Sequence, residues 1–309
     1  MLKEISALLF TCGVSARPFT VSSHGAGGNN QTYKVEANGQ LFLLKRYYSL
    51  DRLQAEYRFL QYAGRVAPEY VPKVYGKIDG YNMGLYEYLD GEKVTHIGER
   101  EIEGAIDFFS RLNHPESKIY AQDLGEAKEA CFSLRDHVDL VKGRIVELQQ
   151  IPETSQEATE AKEIAYKLER LLPIFDDPTP LSVEDRCISP SDFGFHNALR
   201  TKIGALYFFD FEYGGWDDPG KMVGDFFSQI AGPIPYTFFP LFTEKTLRSK
   251  RLIERAKQLL PLYRIKWCTI VLNIFLPYHL HRRKFAGNRD ALTLLQRKQL
   301  EKVKHYGLY

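Results

Sequence analysis

Between residues 18 and 47, short apolar runs alternate with turn-forming residues, a pattern of strands rather than helices. Phe19-Thr20-Val21 runs into His24-Gly25-Ala26-Gly27-Gly28-Asn29-Asn30, after which Thr32–Ala37 and Leu41–Arg46 flank Asn38-Gly39. Both residues of an Asn-Gly step accept positive φ, so the step predicts a tight hairpin. The result is an antiparallel meander whose first turn is rich in glycine. Two further strands, Val74–Ile78 and Met83–Leu89, are predicted around Asp79-Gly80.

Helical spacing appears first at Ser49–Ala63, where Leu53, Tyr57 and Leu60 form one apolar stripe. Glu56 lies on the same stripe, three residues after Leu53 and four before Leu60. A carboxylate facing inward is costly unless paired, and Lys45 at the end of the preceding strand is the candidate partner. Residues 99–175 are helical in pattern, with the runs Ala127–Gln150 and Ser155–Phe175 separated near Ile151-Pro152 and Ser155 as N-cap. The chain is thus β-rich to about residue 89 and mainly helical afterwards, an α+β class with two domains, 1–89 and 90–309.

Composition narrows the classes. With 309 residues, 44% of them hydrophobic, the chain can bury a sizeable core. Its 41 Lys and Arg against 39 Asp and Glu give a formal charge of +2, which argues against a nucleic-acid partner. Cys12, Cys131, Cys187 and Cys268 form no CxxC pair, so neither a zinc site nor a disulfide framework is expected, and a reducing cytoplasm fits best. The run Ala7-Leu8-Leu9-Phe10 before Cys12 is too short for an export signal, and Glu4 interrupts its basic end. Trp267–Leu276 falls well short of the about 20 apolar residues that a membrane span needs, and is expected as a buried helix.

Candidate chemistry concentrates at Ser189–Trp216, SPSDFGFHNALRTKIGALYFFDFEYGGW. Asp192 and Asn197 share one loop, a hairpin follows, and Asp210 closes it. A base that orients a hydroxyl, with an amide and a carboxylate that hold Mg²⁺ against phosphates, is the set that metal-assisted phosphoryl transfer needs. The glycine-rich turn at Gly27-Gly28 fits neither a dinucleotide fingerprint, since Asn30 stands where the third glycine is required, nor a helix-opening phosphate loop. It leaves two readings, a flexible hairpin that offers backbone N–H groups to nucleotide phosphates and a plain surface turn. Lys45 is read either as a lysine that reaches inward to phosphate oxygens or as a solvated strand end. Glu87–Leu89, at the end of the β-rich part, would present main-chain groups to an adenine edge.

With these groups in this order, the chain resembles the aminoglycoside phosphotransferase and choline kinase superfamily, relatives of the protein kinases. The family's HGDxxxxN becomes Pro190-Ser191-Asp192-Phe193-Gly194-Phe195-His196-Asn197. Its IDFExAGxGDPxxDLA becomes Phe209-Asp210-Phe211-Glu212-Tyr213-Gly214-Gly215-Trp216-Asp217-Asp218-Pro219, with Asp225 downstream. The resemblance implies a two-lobed protein-kinase-like fold, with a small antiparallel β lobe carrying one helix (1–89, nucleotide binding) and a larger helical lobe (90–309, catalysis and substrate). It implies that Asp192 accepts the acceptor's proton, that Asn197 and Asp210 hold Mg²⁺, and that Lys45, paired to Glu56, contacts the ATP phosphates. Gly27, Gly28, Glu87 and Leu89 complete the nucleotide site.

The chain departs from the pattern at Pro190, where the family has a histidine that braces the metal-binding segment, and at Ser191, where it has glycine. Asp218 and Asp225 are expected to brace the catalytic loop rather than touch substrate. The expected activity is ATP- and Mg²⁺-dependent phosphorylation of a hydroxyl on a small molecule: a sugar, a glycan precursor, an amino alcohol or an aminoglycoside. The alternatives are a pseudokinase that binds nucleotide without transfer, and a protein kinase or AMP transferase.

Overall fold

The structure is a computed structural model that describes residues 1–14, 18–26, 29–286 and 292–308. The chain begins with α1 (Leu2–Thr11), then β1 (Phe19–Ala26), β2 (Gln31–Ala37), β3 (Gln40–Arg46), α2 (Leu50–Val66), β4 (Val74–Ile78) and β5 (Met83–Glu87). The strands form one antiparallel sheet in the order β1-β2-β3-β5-β4. The predicted hairpin closes at Asn38 and Gly39, with φ of 56° and 72°. Period-2 alternation sends Phe42 and Leu44 to one face, where they pack with Val35, Met83 and Leu85 against Ile5, Leu8 and Leu9 of α1. The run Ala7–Phe10 therefore lies in a helix with a buried face. Lys45 takes the opposite face, toward α2.

The remaining elements are β6 (Gly91–Lys93), α3 (Glu99–Leu112), α4 (Pro115–Lys118), α5 (Leu134–Gln149), α6 (Gln156–Glu169), β7 (Cys187–Ser189), β8 (Ala198–Thr201), β9 (Leu206–Phe208), β10 (Gly215–Asp217), α7 (Pro219–Ser228), α8 (Phe239–Thr246), α9 (Lys250–Leu272), α10 (Pro277–Phe285) and α11 (Leu292–Tyr306). This is an α+β fold with the five-stranded antiparallel sheet confined to the N-terminal part. Compact packing divides the chain into a first unit, Met1–Gly125 with Phe195–Gly215 and Arg282–Asn288, and a second, Glu126–Gly194 with Trp216–His281 and Arg289–Tyr309.

In the first unit, β6, β8 and β9 form a small sheet, and Phe108 stacks on Phe208 with ring centroids 5.0 Å apart. Phe59 of α2 stacks on Phe211 at 4.8 Å, which ties that helix to the segment after Asp210. The second unit has a core of Val141, Ile145, Ile164, Leu168, Leu259 and Val303, drawn from α5, α6, α9 and α11. Every residue of α7 is buried. A Cβ at Gly224 of α7 would stand 2.6 Å from Tyr263 Cγ, so glycine permits the close approach of α7 to α9. Trp267, Cys268 and Leu272 are buried in α9, as expected of a core helix. Among the described residues no single helix is long and apolar enough to cross a membrane.

Candidate active site

The first unit holds a buried ion cluster. Lys45 Nζ lies 2.6 Å from Glu56 Oε2, and the lysine also bonds to Asp210 Oδ1. Strand register explains half of this: Lys45 lies opposite Gly84 of β5 and Thr32 of β2, central in the sheet, with its side chain 8% exposed. The helical stripe explains the rest, since Leu53, Glu56, Phe59 and Leu60 are all buried on one face of α2. Burial opposes the charge of Lys45, yet Asp210 and Glu56 hold it above the ordinary lysine range. Burial pushes Glu56 up to about 7, against the pull of Lys45. Behind the pair, the hydroxyls of Tyr47 and Tyr86 sit 2.8 Å apart, and both are shifted upward by burial and by the charge of Glu56.

Asp210 is positioned by the second hairpin. Pairing of Ala198 with Phe208 brings the Asn197 carbonyl to accept the Phe209 N–H at 3.0 Å, so Asn197 and Asp210 flank the open end of β8 and β9. Asp210 has φ +67, a left-handed conformation that aspartate tolerates better than most side chains. Two residues on, Glu212 has a fully buried side chain and is bound by three side chains, two from the loop before β2 and one from α2. Asn29 Nδ2 donates to Oε1 at 2.9 Å, Asn30 Nδ2 to Oε2 at 2.7 Å, and Arg52 Nη1 to Oε1 at 2.6 Å. Asn29 and Asn30 follow the glycine-rich turn. Gly27 and Gly28 themselves lie outside the described residues.

Glu87 ends β5. Its N–H donates to the Lys73 carbonyl at 2.8 Å and its carboxylate accepts the Lys73 N–H at 3.0 Å. An adenine contact through this residue would therefore use its carbonyl, not its N–H. Leu89 lies in the irregular connection to β6.

Asp192 belongs to the second unit. Its N–H donates to the Pro190 carbonyl at 2.9 Å, and Gln229 Nε2 donates to its Oδ1 at 3.3 Å. Ser191, in the family's glycine position, has φ +65, so the turn keeps the backbone conformation that glycine would adopt without strain. Asp218 and Asp225 are spent on structure. Asp218 caps α7 through the Gly220 N–H at 2.6 Å and also binds Arg255 and His137; His137 and Arg255 hold its carboxyl below the usual range despite burial. Asp225 accepts from Lys266 and from Trp267 Nε1 at 3.0 Å.

Sequence reasoning missed Glu212, Asn29, Asn30 and Arg52 as a set, and missed Lys221 and Gln229. For Lys221 a signal existed, since Asp217, Lys221 and Asp225 are spaced four apart; Lys221 and Asp225 share a face of α7, and Asp217 ends the strand before it.

Glu56, Asp210 and Glu212 each bring an oxygen within 4.8 Å of the others, the one such acidic group among the described residues. Glu56 is matched by Lys45, and Glu212 by Arg52. The Asp210 carboxylate, 32% exposed, is the most accessible of the three. Carboxylate and amide oxygens from Asp210 and Asn197 are hard donors that suit Mg²⁺ completed by water and phosphate, so the residues fit that ion.

A sequence model of the phosphotransferase enzyme family (APH) matches residues 20–224. The chain belongs to this family. This phosphotransferase shares its fold with solved structures of the kinase-like class. One is spectinomycin phosphotransferase APH(9)-Ia in complex with ADP and spectinomycin (12% identity, 97% of this chain and 98% of that one, TM-score 0.60). Another is choline kinase from Cryptosporidium parvum Iowa II (14% identity, 99% and 96%, TM-score 0.56). A third is macrolide 2′-phosphotransferase type I (13% identity, 96% and 96%, TM-score 0.58). No curated protein matches this phosphotransferase in sequence.

Proposed function

We propose that this phosphotransferase moves the γ-phosphoryl group of ATP, with Mg²⁺, to a hydroxyl of a small molecule. The observation that carries the reading is the Lys45 ammonium, held at once by Glu56 and Asp210 at the buried centre of the first unit. In this reading Lys45 contacts the α- and β-phosphates while Glu56 fixes its direction. Gly27 and Gly28 offer main-chain N–H groups to the phosphates, and the Glu87 carbonyl and Leu89 contact the adenine edge. Asn197 and Asp210 would hold Mg²⁺, which when bound neutralises phosphate charge. Asp192 takes the acceptor's proton as its oxygen bonds to phosphorus and the bond to ADP breaks. Residues 1–89 then serve the nucleotide, and 90–309 catalysis and the acceptor.

The named neighbours act on spectinomycin, choline and macrolides, so the acceptor class proposed here is a sugar, a glycan precursor, an amino alcohol or an aminoglycoside. The four free thiols suit a reducing compartment such as the cytoplasm. The test is incubation with Mg·ATP and a panel of such hydroxyl compounds, beside Asp192→Asn. Wild-type turnover should exceed the variant's by about a thousandfold, the scale of a lost catalytic base. ATP binding with no turnover above the variant's would make the protein a nucleotide-binding module instead. Intact-mass analysis of the product separates addition of phosphate from addition of AMP.

A further inference from the structure

Ser191 occupies a left-handed backbone region, φ +65, that is strained for a non-glycine residue and survives only where its surroundings fix it. Four contacts do so. Ser189 Oγ accepts the Ser191 N–H at 3.0 Å, the Pro190 carbonyl accepts the Asp192 N–H at 2.9 Å, the Ser191 hydroxyl donates to the Lys128 carbonyl at 3.5 Å, and Lys221 Nζ donates to Ser191 Oγ at 3.1 Å. Of the two that come from elsewhere in the chain, the bond from Lys221 is the shorter and the one assisted by charge. An ammonium has three N–H donors, and fully buried Lys221 directs its own at Asp217 Oδ2 (2.7 Å), Asp225 Oδ2 (3.3 Å) and Ser191 Oγ. Asp225 in turn meets Lys266, and Lys266 meets Glu129, which Lys266 and Arg144 hold down at about 2 despite burial. The loop before Asp192 is thus fastened to a ladder of alternating buried charges.

Such a ladder is a poor source of stability, because buried ion pairs can be replaced by packed apolar groups with little loss or with gain. What it supplies is a fixed direction. Pro190 cannot give the bracing that the resemblance assigns to a histidine at that position. We propose that Lys221 is a positioning residue for Asp192, acting through the Ser191 hydroxyl in place of that histidine. The proposal rests on the role given to Asp192 above.

The test uses the full chain with Mg·ATP as probe and phosphate release to water as readout, alongside hydrogen exchange over residues 187–194 and thermal melting. Ser191→Ala leaves Lys221 paired to both carboxylates, and Ser191→Gly also relieves the backbone, so both variants should fold and the glycine variant should melt no lower than wild type. Each should lose about 10- to 100-fold in kcat with KM for ATP changed by less than about twofold, the signature of a misplaced catalytic group rather than lost binding. Exchange at 191–192 should quicken in both. Ser191→Ala combined with Lys221→Met should lose no more kcat than Lys221→Met alone. Wild-type kcat and wild-type exchange in the two serine variants would overturn the proposal. A wild type that transfers no phosphate would instead overturn the phosphotransferase reading, and the exchange arm would still decide whether Lys221 fixes the loop.

Discussion

At the scale of single residues, Glu56 governs the pH dependence expected of nucleotide binding under the proposed function. Burial raises it from 4.5 to about 7, so its ion pair with Lys45 is complete only above that value. KM for ATP should rise in wild type as pH falls through about 7, and should be higher and flat in Glu56→Gln; a flat wild-type profile would refute this. For stability the sign is opposite. The folded state binds the proton more tightly than the unfolded chain, so the contribution of Glu56 is full below about 4.5 and is lost as pH rises through about 7. The melting-temperature advantage of wild type over Glu56→Gln should shrink across that window. Lys45 and Glu56 were legible because two simple periods, strand alternation and a helical stripe, both point them inward. Asp192, Asn197 and Asp210 were singled out by spacing, and the structure places Asn197 and Asp210 at one end of the β8–β9 hairpin. Glu212 was not, since its partners Arg52 and Asn29 stand 160 and 183 positions away and no local pattern joins them.

Elements were read best where a turn or cap announces them. Asn38-Gly39 located β2 and β3, and Ser155 does cap α6, accepting the Ala158 N–H at 3.2 Å. The helix expected from Ala127 starts only at Leu134, because Ser133 and Asp136 form a capping box that the apolar pattern alone does not reveal. Helix α7 illustrates a conflict that sequence cannot resolve. Alanine in place of Gly224 would gain about 1 kcal/mol of helix propensity. The 2.6 Å approach to Tyr263 means overpacking, which costs about 1–3 kcal/mol. The steric cost outweighs the propensity gain, so Gly224→Ala should lower the denaturation midpoint; an unchanged or higher midpoint would show that α9 yields readily.

For the whole chain, alternation followed by helical spacing gave the α+β class, while most of the second unit's core was hidden. Its α9 and α11 lie beyond residue 224, where the family match stops and no motif remains to guide a reader. Only the apolar end of α9 was read as buried; the rest of that core emerges when folding brings Leu259 and Val303 beside Val141 and Ile164.

The grip on Glu212 has one more consequence. This carboxylate joins Asn29 and Asn30 to the strand end that carries Asp210, so under the proposed function a nucleotide that moves Asn29 and Asn30 would also move the residue proposed to hold the cation. Linkage is reciprocal: whatever factor ADP contributes to cation affinity, the cation must return to ADP. Titrating each ligand in the presence and absence of the other should give a larger coupling free energy in wild type than in Glu212→Gln. Equal couplings would mean that the two sites are filled independently.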